Sequence, residues 1–179
     1  MSPRRADPPT LEFVILGLIR LQPTHGYDLF RTLQQDEGIG LIWQVKPGRL
    51  YALLEKLEGQ GWLEPDVKPG ERFSNRKEYR LTPAGEDAFL EWLHSPVTAA
   101  HRMRQEFLAR LFFASYEGIK VLETITSNQK KMCRRWLKSL QQAYQKLDGS
   151  QNYERSVLSF RIGQVEAMLH WLEQNNDQR

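Results

Sequence analysis

Apolar positions along the chain follow two different periods, and the change from one to the other divides it. The first long run, "LEFVILGLIRL" at 11–21, is almost continuous and predicts a helix buried around most of its circumference, with Thr10 as its N-cap. "QPTHGYDLF" interrupts it, and Pro23 and Thr24 mark a turn. A second helix is expected from about His25 to Gln35, with Tyr27, Leu29, Phe30 and Leu33 as its apolar contacts and Tyr27 assigned to the core. "DEGIG" breaks that helix. A third follows over 47–58, where Leu50, Leu53, Leu54 and Leu57 fall at i, i+3, i+4 and i+7. Pro47 suits its first turn, where a missing N–H costs nothing, and Gly59 and Gly61 end it.

The period then shortens to two. Leu63, Pro65 and Val67 alternate with polar residues, as do Lys77, Tyr79 and Leu81, around the polar, basic loop "GERFSNR". This pattern predicts a hairpin across 62–82, and Pro65 makes its first strand an edge strand. Thr82-Pro83 then has the form of an N-cap followed by proline at the first helical position, opening a helix through Trp92 and Leu93.

Beyond a linker, "SPVTAAH" at 95–101, the rest of the chain reads as helix. Phe107, Leu108, Leu111 and Phe112 share one side of the first segment. From Leu122 a seam of Thr126, Gln129, Cys133, Trp136, Leu140, Ala143 and Leu147 alternates three and four apart, as in a coiled coil, with Thr126 and Gln129 as imperfections. "DGS" at 148–150 turns the chain into a last helix carrying Tyr153, Val157, Phe160, Val165, Met168 and Leu172.

Three helices, a two-stranded hairpin and a fourth helix make a winged helix-turn-helix. The predicted fold class is therefore mainly α, an α+β winged helix followed by an α-helical, coiled-coil-like dimerisation domain. The boundaries are a flexible arm at 1–9, a DNA-binding domain at 10–95 and a dimerisation domain at 96–179. Such a fold points the N-terminal tip of its third helix at the major groove.

Charge adds one constraint. Residues 1–99 hold 12 basic and 14 acidic residues, giving −2, while residues 100–179 hold 13 and 8, giving +5. The front half is not basic overall, but its cations gather at 46–56 and 68–80, and a local concentration is enough to bind phosphate. Other classes fall away. Cys133 is the single cysteine, so no internal disulfide can form, and His25, His94, His101 and His170 have no zinc-ligand spacing, so neither metal nor cofactor is expected. No P-loop, nucleophile elbow, paired carboxylates or Cys/His constellation suggests an enzyme. The longest apolar run is too short to span a bilayer and lacks a signal-peptide cleavage pattern, which gives a cytoplasmic expectation with no membrane partner.

The candidate DNA-binding residues are Lys46, Gly48, Arg49, Tyr51 and Lys56 on the third helix and Arg72, Asn75, Arg76 and Lys77 on the wing. Arg49 suits bidentate contact with guanine, and Lys46 suits a phosphate. Gly48 would let the backbone come close, and the Tyr51 hydroxyl could reach a phosphate or a base edge. Each has a plainer alternative: a solvated face for Arg49 and Lys56, packing against the wing for Tyr51, a simple turn for Gly48 and a basic loop without DNA for the wing. Arg4 and Arg5 could also reach nucleic acid. His25 sits at a helix start, as able to make a local hydrogen bond as to face a phosphate. The residues expected to build the dimer are Leu122, Cys133, Trp136, Leu140, Val157, Phe160, Met168 and Leu172.

Residues 11–93 resemble the PadR-type winged helix-turn-helix transcriptional regulators. The resemblance rests on "LGLI" before a proline-containing turn, "HGY" opening the second helix, the G-x-L-Y-x-L-L-x-x-L-E-x-x-G-W-L pattern across the third, and "KEYRLTPAG" at the return strand. "RQEFLARLFFA" is similar to the start of the helical C-terminal domain of the longer members, which forms a dimer in that family. The resemblance implies a homodimer, a repressor rather than an activator, on a pseudo-palindromic operator whose half-sites lie about 34–36 Å apart. It also permits a small aromatic effector, for which Trp92, Trp136 and Trp171 could line a pocket between subunits, the plainer alternative being core or dimer interface. One departure stands out. Family members often carry a short capping residue such as Ser just before the third helix, and here it is Lys46, which exchanges a side-chain cap for a cation. The alternative to the whole reading is a winged-helix module that binds protein and no DNA.

Overall fold

The computed structural model describes residues 10–66 and 77–177. They form two compact units. One comprises the chain up to Ser95 together with Arg104–Phe113, the other Pro96–Met103 together with the chain from Ala114 onward. The boundary therefore does not fall at one point near residue 95. Residues 104–113 return to the first unit.

The first unit contains α1 (Thr10–Leu21), β1 (Thr24–His25), α2 (Gly26–Leu33), a 3-10 turn at Gly38–Leu41, α3 (Pro47–Gly59), β2 (Leu63–Asp66), β3 (Glu78–Leu81) and α4 (Pro83–His94). α1 lies at the centre, as its unbroken apolar run demands, with Val14, Ile15 and Leu16 fully buried. α3 seals its Leu50, Leu54 and Leu57 completely. Phe13 stacks between Trp62 and Trp92, with ring centroids 5.8 and 5.3 Å away, and Phe89 meets Phe113 edge-on at 5.4 Å. Phe113 comes from the returning segment. A methyl group on Gly17 would lie 2.5 Å from its ring, so α1 accepts Phe113 only because residue 17 has no side chain.

Among the described residues the sheet has three strands, not two. Its order is β1-β3-β2, all antiparallel, with Leu63 opposite Leu81 and Pro65 opposite Tyr79. β2 is an edge strand, as Pro65 requires. β1 has only two residues, Thr24 and His25, and exists because Tyr79 and Glu78 pair with them. A pairing between positions so far apart in sequence leaves no local period to read.

Thr82 caps α4 as expected: its hydroxyl accepts the Gly85 N–H at 3.1 Å and donates to the Gly61 carbonyl at 2.6 Å. A side chain on Gly85 would run into the Trp62 carbonyl at 2.1 Å. The Thr-Pro-Ala-Gly segment therefore holds the end of the wing against the start of α4. Arg20 ties α1 to Glu86 on α4 at 2.6 Å.

Arg110, also from the returning segment, is buried in the same unit. It pairs with the equally buried Glu106, donates to the Ser95 carbonyl, and lies over the Trp92 ring at 5.1 Å.

The second unit is mainly a helical hairpin of α6 (Ile119–Gln145) and α7 (Asn152–Asp177); α5 (Leu108–Glu117) precedes it in the chain. Its turn is where "DGS" predicts one. Asp148 accepts the Ser150 N–H at 2.8 Å and the Ser150 hydroxyl at 2.6 Å, and these bonds hold the Asp148 pKa below its ordinary value. Arg155 stacks on Tyr144 at 4.6 Å beside the turn, and Arg134 of α6 pairs with Glu173 of α7 at 3.1 Å. Among the described residues, no helix is long and apolar enough to cross a membrane.

Gln129, an imperfection in the sequence seam, has a defined partner. It is fully buried. Its side-chain oxygen accepts the Val97 N–H at 2.8 Å and its amide donates to the Val97 carbonyl at 3.3 Å. Both hydrogen-bonding groups of one buried residue's backbone are satisfied by one side chain. The segment read as a linker is thus fastened at Val97, which is itself fully buried.

Candidate nucleic-acid interface

The sealed leucine face of α3 leaves its other side to solvent. Lys46, Pro47, Gly48, Arg49 and Tyr51 are all exposed at its N-terminal end. Lys46 occupies the N-cap position, where its donor-only ammonium makes no capping bond, and the residue is exposed. The positive end of the helix dipole lies there, which favours an anion. Nothing lies within 4 Å of where a Gly48 side chain would begin. Internal packing does not explain that glycine, and the backbone is open to close approach. Tyr51 is 45% exposed, with one edge of its ring against Gly26 at the start of α2. That contact gives the glycine of "HGY" a reason: a methyl there would lie 2.8 Å from the tyrosine ring.

Two candidates lie apart from this group. Lys56, near the other end of α3, donates to Glu12 of α1 at 3.0 Å. Lys77 donates to both carboxylate oxygens of Glu58 at 3.1–3.2 Å, and this bond raises its pKa above the ordinary lysine value. Both read from sequence as cations aimed outward, and both are tied to carboxylates of their own unit. A period of 3.6 gives a residue's face but not its partner on another element. Arg72, Asn75 and Arg76, and the arm with Arg4 and Arg5, lie outside the described residues.

Tyr27 corrects the sequence reading. Expected in the core, it is 63% exposed on the first turn of α2, while its neighbours Gly26 and Leu29 are buried. A phenol exposed beside the Gly26–Tyr51 contact belongs with the candidate residues. The signal was available, because Gly26, Leu29 and Leu33 already define the buried face of that short helix. His25 caps α2 with backbone only, and its buried Nδ1 has no hydrogen-bond partner among the described residues.

In the second unit the expected dimer residues separate. Leu122, Cys133 and Leu172 are buried within the one chain, and burial pushes the Cys133 thiol pKa up. Trp136 and Leu140, with Arg161, Ser139 and His101, line a cavity of about 350 Å³, and Met168 is half-buried. Val157 and Phe160 are exposed, at 38% and 67%. The α6 seam is thus largely filled by its own chain, since periodicity cannot tell an intramolecular partner from a second copy. Of the three tryptophans, Trp92 belongs to the aromatic core of the first unit, while in the second Trp136 lines the cavity and Trp171 is 36% exposed.

Residues 15–91 match the transcriptional regulator PadR-like family. The winged unit is similar to the PadR-like family of transcriptional regulators. Residues 103–177 match a second family, the C-terminal domain of virulence activator alpha, so a PadR-like head is joined to a known type of helical tail. The curated relative, the negative transcriptional regulator PadR of Bacillus subtilis, is 28% identical over 142 residues, covering 78% of this chain and 76% of its own. The crystal structure of Bacillus subtilis PadR in complex with operator DNA aligns at 23% identity over 94% of this chain and 97% of that one, with a TM-score of 0.48. The same protein in complex with p-coumaric acid aligns at 24% identity over 92% and 95%, with a TM-score of 0.44. Taken together, the two matches make the chain similar, from residue 15 to residue 177, to a PadR-like transcriptional regulator followed by a helical tail.

Proposed function

We propose that the protein is a cytoplasmic homodimeric repressor that binds a pseudo-palindromic operator, with α3 in the major groove and the wing on the backbone or minor groove. The observation that carries this is the division of α3: Leu50, Leu54 and Leu57 are fully buried, while Lys46, Gly48, Arg49 and Tyr51 are exposed at the helix's electropositive end. Arg49 has no ion-pair partner among the described residues, so it is available for a guanine edge. Lys46 and Tyr51 take phosphates, with Tyr27 beside them. Repression follows the curated relative, which is named a negative regulator.

The test is fluorescence anisotropy on DNA from upstream of the protein's own gene, with a scrambled duplex as control. Arg49→Ala should weaken selective binding by about 1–3 kcal/mol, with circular dichroism unchanged. Normal binding by that variant would mean that another element reads the DNA. A wild-type protein that binds neither duplex at low salt would favour the protein-interaction module, for which the charge of −2 over residues 1–99 is the supporting observation.

The dimer reading is supported by the outer face of α7. Tyr153, Val157, Phe160 and Trp171 are exposed there at 78, 38, 67 and 36%, with Gln164 and Ala167 completing a four-three alternation. Val165, Leu169 and Leu172 of the same helix are already buried. A helix with one seam filled and a second seam apolar and open suits a second copy of the chain. Phe160→Glu should convert the dimer to monomer in sedimentation equilibrium; an unchanged mass would move the interface elsewhere. A small aromatic effector has room in the cavity beside Trp136, where the ring offers a flat face and Arg161 a positive charge. p-Coumaric acid is the first probe to titrate.

A further inference from the structure

The half of the chain that carries the reading helix is net negative, and the other half is net positive. Residues 1–99 sum to −2 and residues 100–179 to +5. A head of that charge gains little long-range attraction to phosphate, the force that brings regulators to DNA and supplies most non-specific binding. The missing charge is concentrated on α6. Between Thr124 and Leu147 the sequence has six Lys or Arg and no Asp or Glu. The inward face of the helix is occupied by Leu122, Ile125, Gln129 and Cys133. Lys131, Arg135 and Lys138 stand at i, i+4 and i+7 and are exposed. None of the three is paired with a carboxylate among the described residues, whereas the adjacent Arg134 is held by Glu173.

We propose that the exposed face of α6 is a second DNA-contacting surface, which holds backbone phosphates of duplex DNA. The proposal rests on the DNA-binding reading above and adds to it where the electrostatic part of the binding comes from. Lys131 to Lys138 covers about 10 Å of helix axis, roughly three phosphates of one strand at about 3.4 Å each. Three cations on long side chains with no internal partner can neutralise phosphates without breaking anything in the fold. Contacts of this kind carry no sequence information. The surface therefore sets affinity and salt dependence and leaves sequence preference to α3.

The experiment uses the full chain and the triple variant Lys131→Gln/Arg135→Gln/Lys138→Gln. Both are titrated onto the upstream duplex and the scrambled duplex over a range of salt concentrations, with circular dichroism and sedimentation to check fold and mass. The variant should bind both duplexes more weakly at low salt. Its slope of log K against log salt should be shallower by about 0.9 for each phosphate it no longer neutralises. The ratio between the two duplexes should stay as in the wild type, whereas Arg49→Ala should lower that ratio. An unchanged slope and affinity in the triple variant, with the wild type binding DNA, overturns the proposal and points the α6 face at an acidic protein instead. A wild type that binds neither duplex overturns this proposal and the DNA-binding reading together.

Discussion

The two units bury polar groups in different ways. The winged unit buries a charged pair, Arg110 and Glu106, with side chains only 5% and 3% exposed. The helical unit buries a neutral amide, Gln129, and uses it on the backbone of Val97. A buried ion pair repays its desolvation only while both partners are present, so it penalises the loss of either one heavily. A buried amide demands less and does a directional job, satisfying a donor and an acceptor on one residue's backbone at once. The first arrangement fixes a returning segment to a core. The second fixes a point along a chain.

Three substitutions break that comparison in decreasing order. Arg110→Met removes the guanidinium from beside the buried Glu106 carboxyl group, and should cost about 3–5 kcal/mol in urea titration of the full chain. The double variant with Glu106→Leu should recover much of the loss. A single variant as stable as the wild type would mean that the pair is already hydrated. Gln129→Leu keeps the bulk of the side chain and removes both bonds to Val97, at about 1–3 kcal/mol for each group orphaned. Its diagnostic is local: hydrogen exchange of the Val97 amide should speed up, and unchanged protection would show that another group holds that N–H. Lys56→Gln breaks the half-exposed pair with Glu12 and should cost about 0–1 kcal/mol, with DNA binding unaltered. A marked loss of DNA binding in that variant would return Lys56 to the interface.

How much was legible follows the same line between local and distant causes. The leucine face of α3, the Thr82-Pro83 start of α4, the Asp148 turn and the edge position of β2 are properties of a few neighbouring residues, and the sequence shows them. β1 does not appear in the pattern because two residues have no period and are strand only by virtue of Tyr79 and Glu78. Tyr27 looks like core because an aromatic beside Leu29 fits an apolar stripe, yet a helix of eight residues buries only a narrow face. Thr126 and Gln129 look like faults in a coiled-coil seam until Val97 is placed against one of them. Lys56 and Lys77 read as free cations until Glu12 and Glu58 are brought beside them. At the tip of α3 exposure is legible for the opposite reason: among the described residues, the side chains of Lys46 and Arg49 have no hydrogen-bond or ion-pair partner for the sequence to hide.

The contact between Gly17 and Phe113 bears on how the protein can be dissected. Phe113 lies beyond the fastened segment at Val97, yet its ring fills the dent that Gly17 leaves in the central helix. The head is therefore not a cassette ending at α4. A fragment cut at residue 95 would keep every part of the winged motif and lose the plug of its own core, together with the Arg110 that closes over Trp92. Chimeras that graft this head onto another tail need to carry residues 104–113 with it, so the exchangeable piece is discontinuous in sequence.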